Sequence, residues 1–337
     1  MPLEIAGHSA LVLETNNLRG GDTAANTALA SLHQVIALLA AQSIPLTALA
    51  QLIITHDGID SDACAMLESV AGRQIDFVRI DSATGYYDAK NTGFAATDAG
   101  RCDYVIFADA DCQPTAGWLA ALLAPLAGPD APAVVAGRTS YAPTLAGTAL
   151  TTIDFMYFPS PLRDCATRNF YANNVVFRRH VFEQHSYQAL DGVYRAHCQV
   201  LGLRLQQAAV ALHYAADAHT IHKLPDTRRE AITLRWLRGQ DTQGLTPHLV
   251  RAYLPASLQW LGRSGPVGPL CVLSSRLFFS VRALNRQDLP PVRGLRWLGA
   301  VALIGGFSAI DMLGALFRGL GLRSAGASNH ALSYHRR

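Results

Sequence analysis

The chain has 337 residues, of which half are hydrophobic and 16% are charged. This composition excludes a chain that is disordered throughout, and the length suits one large domain with a smaller one, or two medium domains. Residues 1–227 carry 13 basic and 21 acidic side chains, whereas residues 228–337 carry 15 and 4. The basic, apolar second part suits the anionic headgroups of a membrane, with a solvated basic face or a nucleic-acid contact as the alternatives.

Cysteine spacing and the N-terminal residues indicate the compartment. The six cysteines show no spacing typical of a zinc site, so reduced thiols in a cytosolic protein are the expected state. The first residues lack the basic start and the long apolar core of a signal peptide. We therefore expect a cytoplasmic protein rather than a secreted one.

Short apolar runs alternate with helical patterns over the first 220 residues. The apolar runs predict strands at 9–14, 51–55, 74–80, 104–108 and 133–136. Helical periodicity predicts helices at 23–41, 88–99 and 118–126. This alternation predicts an α/β fold in which a mostly parallel sheet has helices on both faces.

The remaining segments are less regular and then become basic. Residues 137–168 are predicted to form connecting and acceptor-side loops, 173–184 a strand that runs into a helix, and 190–201 a helix that ends at Gly202, with 203–212 extended. Beyond residue 225 the sequence predicts helices at 228–238, 249–261, 270–284 and 298–316. The expected divisions are a catalytic domain at 1–225, a helical membrane-associating region at 226–323 and a disordered tail at 324–337.

The last predicted helix, 298–316, is 19 residues long and apolar, which is just enough to cross a bilayer. Asp311 and the pair Gly305-Gly306 interrupt it and favour a helix that lies in the plane of the membrane surface. A spanning helix and an ordinary buried helix both stay open.

Acidic residues follow two of the predicted strands. Asp109 and Asp111 come directly after the fourth strand, and Asp57 follows the second. Ligands of such sheets bind beyond the carboxyl ends of the strands, and two carboxylates there can hold a divalent cation against a diphosphate. Asp57 can accept hydrogen bonds from a base or a ribose. The alternatives are a turn residue for Asp57 and a helix N-cap for Asp111.

Five segments resemble, in their order, the motifs of family-2 glycosyltransferases with the GT-A fold, of the membrane-associated bacterial type. They are LVLETNN, HDGID, YYDAKNTGFAA, YVIFADADCQPTAGWLAAL and NFYANNVVFRRHVFEQ, and the resemblance spans residues 9–240. It implies that a nucleotide-diphosphate sugar binds with Mg²⁺ or Mn²⁺. The implied nucleotide-binding residues are Thr15, Asn17, Asp57, Asn91 and Asp109, with Gly93 completing the Asn91 motif, and the implied metal ligands are Asp109 and Asp111.

The resemblance also implies an acceptor side. Asp191 is the implied general base, followed by Gly202 at the family's spacing, although Leu190 stands where the family has Glu. An inverting transfer needs such a carboxylate to take the proton of the acceptor hydroxyl. A plain N-cap is the alternative role for Asp191, and Asp154 and Asp164 are the alternative bases.

The later motifs of the family are matched less completely. His213, His219 and His222 follow the base, and His219 or His222 is the expected further metal ligand. Arg235 and Trp236 resemble the QxxRW motif of processive polysaccharide synthases and imply contact with acceptor or phosphate, although Ile232 replaces the Gln. Arg-rich helix packing is the alternative reading of this motif.

These patterns together predict a metal-dependent, inverting glycosyltransferase at the inner face of the cell membrane. Its expected acceptor is a lipid-linked or cell-envelope glycan, and no nucleic acid is expected as a partner. Two other functions stay open. One is a nucleotidyltransferase of related fold, although the first strand lacks its Gly-rich phosphate loop. The other is a non-catalytic sugar-nucleotide-binding scaffold at the membrane.

Overall fold

The computed structural model of the protein describes residues 2–15, 22–156, 165–190, 193, 195–286 and 289–322, with the backbone alone for residues 22–26. The predicted disordered tail, 324–337, lies outside these residues.

One twisted sheet of eight strands organises the first part of the chain, in the order β3-β2-β1-β4-β7-β6-β8-β5. Strands β1 to β4 pair in parallel, as do β6 and β8, whereas β7 is antiparallel to both of its neighbours and β5 is antiparallel to β8. The strands are β1 Ser9–Glu14, β2 Gln51–His56, β3 Asp76–Arg79, β4 Tyr104–Asp109, β5 Cys112–Pro114, β6 Val134–Tyr141, β7 Asn174–Arg178 and β8 Leu212–His222.

Helices cover both faces of the sheet, which confirms the predicted fold class. Those of the first part are α1 Pro2–Ala6, α2 Asp22–Ala40, α3 Ser61–Ala71, α4 Tyr86–Ala95, α5 Trp118–Leu123, α6 Leu145–Phe155, α7 Arg179–His185 and α8 His197–Gln207. Those of the second part are α9 Arg228–Tyr253, α10 Val267–Ala283 and α11 Leu295–Gly319.

Alternate side chains of the central strands fill a core on each face. Leu11 and Leu13 of β1 pack against α2 and Trp118 on one face, and Val12 packs with Phe107 on the other. Every residue of β1 is buried, because the strand has neighbours on both sides and helices above and below it. A strand covered in this way reads in sequence as a continuous apolar run.

Gly93 brings α4 close to the sheet. A Cβ at this position would overlap Val12 Cγ1 and lie 3.0 Å from Thr55 Cγ2. The glycine of the Asn91 motif therefore has a packing role, since it lets α4 approach β1 and β2 at the end where the strands terminate.

Two stretches of the first part of the chain differ in kind from the sequence predictions. Residues 145–155, expected in loops, form α6, whose start is capped by the Thr144 hydroxyl accepting from the Gly147 amide. The helix expected at 190–201 begins at His197 and runs through Gly202 to Gln207. Gly202 does not end this helix but lets it approach the Arg168 carbonyl, 3.1 Å from where a Cβ would stand.

The basic second part folds into fewer and longer helices than its sequence suggests. The separate helices expected at 228–238 and 249–261 are one 26-residue helix, α9, followed by a 3-10 helix at Ala256–Arg263. The connection between β8 and α9 contains the predicted boundary at residue 225. Within the described residues, α11 is the one helix long and apolar enough to cross a membrane. In its most apolar stretch, about a third of the residues are buried against the protein.

Glycines let α9 and α11 cross at backbone contact. A Cβ on Gly239 of α9 would overlap the carbonyl oxygen of Asp311, and one on Gly314 of α11 would overlap that of Trp236. Ala300 and Ile304 of α11 pack on Ala149 and Ile153 of α6, so α11 joins the sheet domain to the helical region.

The close crossing of α9 and α11 predicts that two alanine substitutions differ in their effect on stability. Gly239→Ala should lower the free energy of unfolding by about 1–3 kcal/mol, because the new methyl group meets a backbone atom that cannot rotate away. Gly306→Ala is the matched control: it lies in α11 with no atom within 4 Å of the added Cβ, and should be neutral or stabilise by about 0.5–1 kcal/mol. Denaturant unfolding measures both, and equal midpoints would contradict the described contact.

Candidate functional site

The carboxyl ends of β2, β1 and β4 are aligned. Thr55, Glu14 and Asp109 are partners across these three strands, so their Cα atoms stand in one row. Thr15 follows Glu14 and is tied to this row, because its hydroxyl donates to the Thr55 carbonyl at 2.7 Å. Asp57 and Asp111 each lie two residues beyond the row. The predicted gathering of these residues at one edge of the sheet is therefore what the strand register produces.

Two side chains of α4 hold the Asp109 carboxylate. Lys90 Nζ lies 2.5 Å from Oδ1, and the Tyr86 hydroxyl donates to Oδ2 at 2.6 Å. Residues 86 and 90 are one helical turn apart and so share a face of α4. Burial raises the pKa of Asp109 above its ordinary value, while the attraction of Lys90 opposes this. Asp109 is thus fixed in place before any ligand binds.

Asn91, also on α4, contacts a different part of the chain. Its amide Nδ2 donates to the Tyr187 carbonyl at 2.9 Å, which ties α4 to the segment after α7. Its Oδ1 is buried and makes no hydrogen bond to a described residue. Asn17, the other asparagine expected at the nucleotide, lies outside the described residues.

Asp111 and His222 face each other because β5 pairs with β8. Cys112 and His222 are register partners, and the Lys223 amide donates to the Asp111 carbonyl at 2.8 Å. Asp111 Oδ2 and His222 Nε2 are consequently 3.6 Å apart. The third nearby group is Cys112 Sγ, with all three ligand atoms within 4.8 Å of one another.

The tautomer of neutral His222 follows from its second hydrogen bond. His222 Nδ1 lies 2.8 Å from the Lys223 carbonyl, which can only accept, so Nδ1 carries the proton. In the neutral ring, Nε2 then turns its lone pair toward the Asp111 carboxylate. Two acceptors in this arrangement need a proton or a cation between them. Binding the other ring nitrogen to a carbonyl is also how proteins orient a metal-ligating histidine.

The spacing suits a metal ion. A separation of 3.6 Å leaves room for one ion bound to both atoms, since a Mg²⁺-sized ion binds at about 2.1 Å. Cys112 is a poorer ligand, because burial and then the Asp111 charge raise the pKa of its thiol well above the ordinary value. Carboxylate and imidazole are therefore the donor set that fits a cation here.

The other two histidines take different positions. His219 Nε2 lies 2.8 Å from the Ser140 hydroxyl, and burial together with Arg138 lowers the pKa of His219 to about 4. His219 is not part of the group formed by Asp111, Cys112 and His222. His213 lies at the far end of β8, opposite Val135. Of the histidines proposed as ligands, the structure brings His222 to Asp111.

Comparison with known proteins places this site in a family. Residues 24–186 match the model of glycosyl transferase family 2. This segment is a family 2 glycosyltransferase domain. It includes α4, the ends of β2 and β4, and the Asp109 and Asp111 carboxylates, whereas the end of β1 precedes it.

A solved structure confirms the GT-A fold over nearly the whole chain. The mannosyltransferase PcManGT from Pyrobaculum calidifontis, in complex with GDP-mannose and Mn²⁺, superposes with a TM-score of 0.57 at 14% identity. The match covers 93% of this chain and 87% of that one, so it includes the helical region. At this identity the likeness establishes the fold alone. No curated protein matches the chain significantly.

In the glycosyltransferase, Arg235 is buried in an ion network. It lies 2.9 Å from Asp154 of α6 and 3.1 Å from Asp311 of α11, and it is 1% exposed. Arg238 pairs with the same Asp154, and Arg276 Nη1 lies 3.9 Å from Asp311. These arginines and their two carboxylate partners join four helices, α6, α9, α10 and α11, in keeping with the packing alternative for this motif. Its neighbour Trp236 packs against Phe317 with ring centroids 5.3 Å apart.

Asp154 is poorly suited to take a proton from an acceptor. Burial would raise its pKa, but the guanidinium groups of Arg235, Arg238 and Arg276 hold the pKa far below its ordinary value. A carboxylate that stays ionised so firmly is a weak base. Asp191 and Asp164, the other two proposed bases, lie outside the described residues.

The site contains residues that sequence reasoning missed. Lys90 and Tyr86 were not expected at Asp109, although their spacing of four residues on a helix next to the motif was a usable signal. Cys112 was also not expected there: it follows Asp111 in the chain, but its approach to His222 depends on a pairing of strands more than 100 residues apart, which has no local sequence signal.

Asp109 and Asp111 should respond differently to substitution. Asp109→Asn leaves the Lys90 ammonium buried without its charged partner and should lower the free energy of unfolding by about 3–5 kcal/mol. Asp111→Asn, on a partly exposed residue, should change stability by no more than about 0.5 kcal/mol. Lys90→Met combined with Asp109→Asn should recover much of the loss. Denaturant unfolding measures the stability of these variants. If the Asp109→Asn protein were as stable as the Asp111→Asn protein, the ion pair of Lys90 with Asp109 would not contribute to stability.

Proposed function

We propose that this glycosyltransferase moves a sugar from a nucleotide-diphosphate donor to a hydroxyl acceptor with the help of one divalent cation. The supporting observation is that Asp111 Oδ2 and His222 Nε2 face each other at 3.6 Å. This pair of atoms lies next to the row of strand ends. When bound, the cation would neutralise the charge that develops on the leaving diphosphate. Asp111 and His222 are the residues that would hold it.

The donor set favours Mn²⁺ over Mg²⁺. Mg²⁺ is bound mainly through oxygen atoms and keeps several waters. An imidazole nitrogen in the ligand set favours a transition metal, and Mn²⁺ also accepts carboxylate and phosphate oxygens. The similar fold of PcManGT was solved with GDP-mannose and Mn²⁺, which agrees with this choice.

The remaining roles follow the sequence resemblance. Asp57 and Thr15 would contact the base or ribose from the ends of β2 and β1. Asp109, held rigid by Lys90 and Tyr86, would contact the nucleotide of the donor beside the cation. Asp191 is the proposed base for an inverting transfer, in which it takes the proton of the acceptor hydroxyl.

A panel of nucleotide sugars tests the donor and the metal together. With Mn²⁺ present, one nucleotide sugar should raise the melting temperature and undergo slow hydrolysis, since a ligand that binds the native state stabilises it. Asp111→Asn and His222→Gln should abolish the Mn²⁺-dependent part while the protein stays folded. His213→Gln is the matched control and should behave as the unmodified protein. A response to nucleotide triphosphates with release of pyrophosphate would show a nucleotidyltransferase instead, and binding without turnover would show a scaffold.

We further propose that the helical region docks on an anionic membrane surface. Only two exposed large hydrophobic side chains of the described chain, Leu3 and Met66, lie outside this region. The others are Ile232, Leu258, Trp260, Val267, Phe278, Leu295, Leu298, Leu313, Leu316, Leu320 and Leu322. Such a concentration on one part of a protein is typical of an interaction surface.

Charge favours a lipid bilayer as the partner. Within described residues 228–286 and 289–322, seven arginines are exposed and no acidic side chain is. The exposed arginines are Arg228, Arg229, Arg251, Arg263, Arg282, Arg293 and Arg296. Asp311, which interrupts the apolar sequence of α11, is turned inward to Arg235. The outer face of α11 is thereby apolar with arginines at its start, a pattern that suits a helix in the plane of the membrane surface.

Vesicle sedimentation tests the docking. The full chain should bind vesicles that contain phosphatidylglycerol and bind phosphatidylcholine vesicles less. Replacing Leu295, Leu298 and Leu313 together by Ser should weaken binding at least about tenfold, since each buried leucine contributes about 1.5–3 kcal/mol. Arg293→Gln and Arg296→Gln should each weaken binding to the anionic vesicles about fivefold. Leu3→Ser with Met66→Ser is the matched control, and an equal loss in that control would contradict the assignment of the surface.

A further inference from the structure

A second pocket lies beside the candidate metal site. β6, the end of α6 and the connection between α10 and α11 form its wall, and the pocket is open to solvent. Phe155 separates it from the metal site: its ring lies 5.9 Å from that of His222 and 4.8 Å from that of Tyr171, centroid to centroid. A molecule in this pocket would therefore stand one aromatic ring away from the proposed cation.

The charge of the pocket is positive. Arg138 of β6 and Arg286 after α10 both line it, and no acidic residue from the described parts of the chain does. His219 adds no charge near neutral pH, because burial and then Arg138 lower its pKa to about 4. It holds the hydroxyl of Ser140, which also lines the pocket, at 2.8 Å. Two guanidinium groups and a hydroxyl are groups that bind an anionic oxygen.

One side-chain oxygen of the wall has no hydrogen-bond partner among the described residues. Asn169 is 7% exposed, and its Oδ1 makes no hydrogen bond to any described residue. The backbone amide of Asn169 donates a hydrogen bond to the Thr167 hydroxyl, which fixes the backbone at this position. A buried amide oxygen without a partner is costly unless a ligand or water satisfies it. Because Oδ1 is closed off from solvent in the structure, it reaches a ligand hydroxyl only after the Asn169 side chain turns toward the pocket.

The aromatic part of the wall suits a sugar ring. Phe155, Tyr171 and Tyr214 line the pocket together with Asn169. Ligand pockets commonly combine such apolar and aromatic walls with a few polar groups that fix orientation. Here the polar groups are an amide, hydroxyls and two guanidinium groups, which match hydroxyls on a ring and an anionic substituent.

We infer that this pocket binds the acceptor, and that the acceptor is a saccharide carrying an anionic group such as a phosphate or a carboxylate. The inference rests on the proposed function, because it gives the acceptor of that same transfer. Arg286 and Leu289 belong to the helical region, so that region completes the pocket as well as carrying the exposed apolar surface.

Binding of simple probes to the full chain tests the inference. Calorimetric titrations with glucose 1-phosphate, glucuronic acid, glucose and inorganic phosphate would be made in EDTA, which removes cation-dependent phosphate binding at the donor site. At least one of the two anionic sugars should bind at least tenfold more tightly than glucose and than phosphate. Glucose 1-phosphate and glucuronic acid distinguish a phosphate from a carboxylate as the anionic group. Equal affinity for glucose and both anionic sugars, or equal affinity for phosphate alone, would overturn the inference.

Substitutions assign the binding to this pocket. Arg286→Gln should weaken the anionic sugars about tenfold, the effect of losing one charge-assisted hydrogen bond, and leave glucose unchanged. Tyr171→Leu should weaken all three sugars alike. Arg168→Gln is the matched control, because Arg168 is exposed next to Asn169 and does not line the pocket. Unchanged binding in both Arg286→Gln and Tyr171→Leu would overturn the inference.

Donor binding is measured separately in the same proteins. Stabilisation by Mn²⁺ and a nucleotide sugar should persist in Arg286→Gln and Tyr171→Leu, which also shows that these variants fold. If the donor binds while no sugar probe does, the acceptor inference fails and the proposed function stands. If no nucleotide sugar binds the unmodified protein, the proposed function fails.

Discussion

The pairing of β5 with β8 is the constraint on which the site depends. β5 is three residues long and begins immediately after Asp111, while β8 ends at His222. Their antiparallel register places Cys112 opposite His222 and thereby sets two acceptor atoms against each other. Without this pairing Asp111 would be one more acidic residue after a strand, and His222 would be a histidine near a helix start. The long β8 is itself held in register by β6, so the sheet fixes the geometry of the proposed cation site.

Asp109 shows how one carboxylate can serve both fold and site. Its two oxygens are engaged by Lys90 and Tyr86, and its backbone ends the central strand β4. A buried charge is tolerated only with a partner, and the partner in turn fixes the carboxylate's direction. Gly93, one turn further along α4, allows the helix to come near enough for this contact. The motif residues around position 91 therefore act largely by placing α4, and Lys90 makes the contact that the motif pattern did not predict.

The helical region is joined to the catalytic sheet by charge as well as by apolar packing. Tyr141 of β6 donates to Asp154, which pairs with Arg235 and Arg238, and Arg235 reaches Asp311 of α11. The same tyrosine ring lies 5.3 Å from that of His222. A continuous set of contacts thus runs from the proposed cation site to the helix with the most exposed apolar face. It explains why an aspartate is present in an otherwise apolar helix, since it faces arginines inside the protein rather than lipid.

The sequence by itself determined the alternation of buried strands and helices, the parallel centre of the sheet and the position of Asp57, Asp109 and Asp111 at strand ends, because these follow from local periodicity. It did not predict α6 or the single long α9, and it left open whether Arg235 contacts a ligand or packs between helices, since a basic or weakly patterned segment becomes helix or core according to what packs against it. Tertiary structure also decided which histidine reaches Asp111. His219 and His222 are equivalent in sequence, but strands alternate their side chains between faces, and a distant pairing turns only His222 toward the carboxylate.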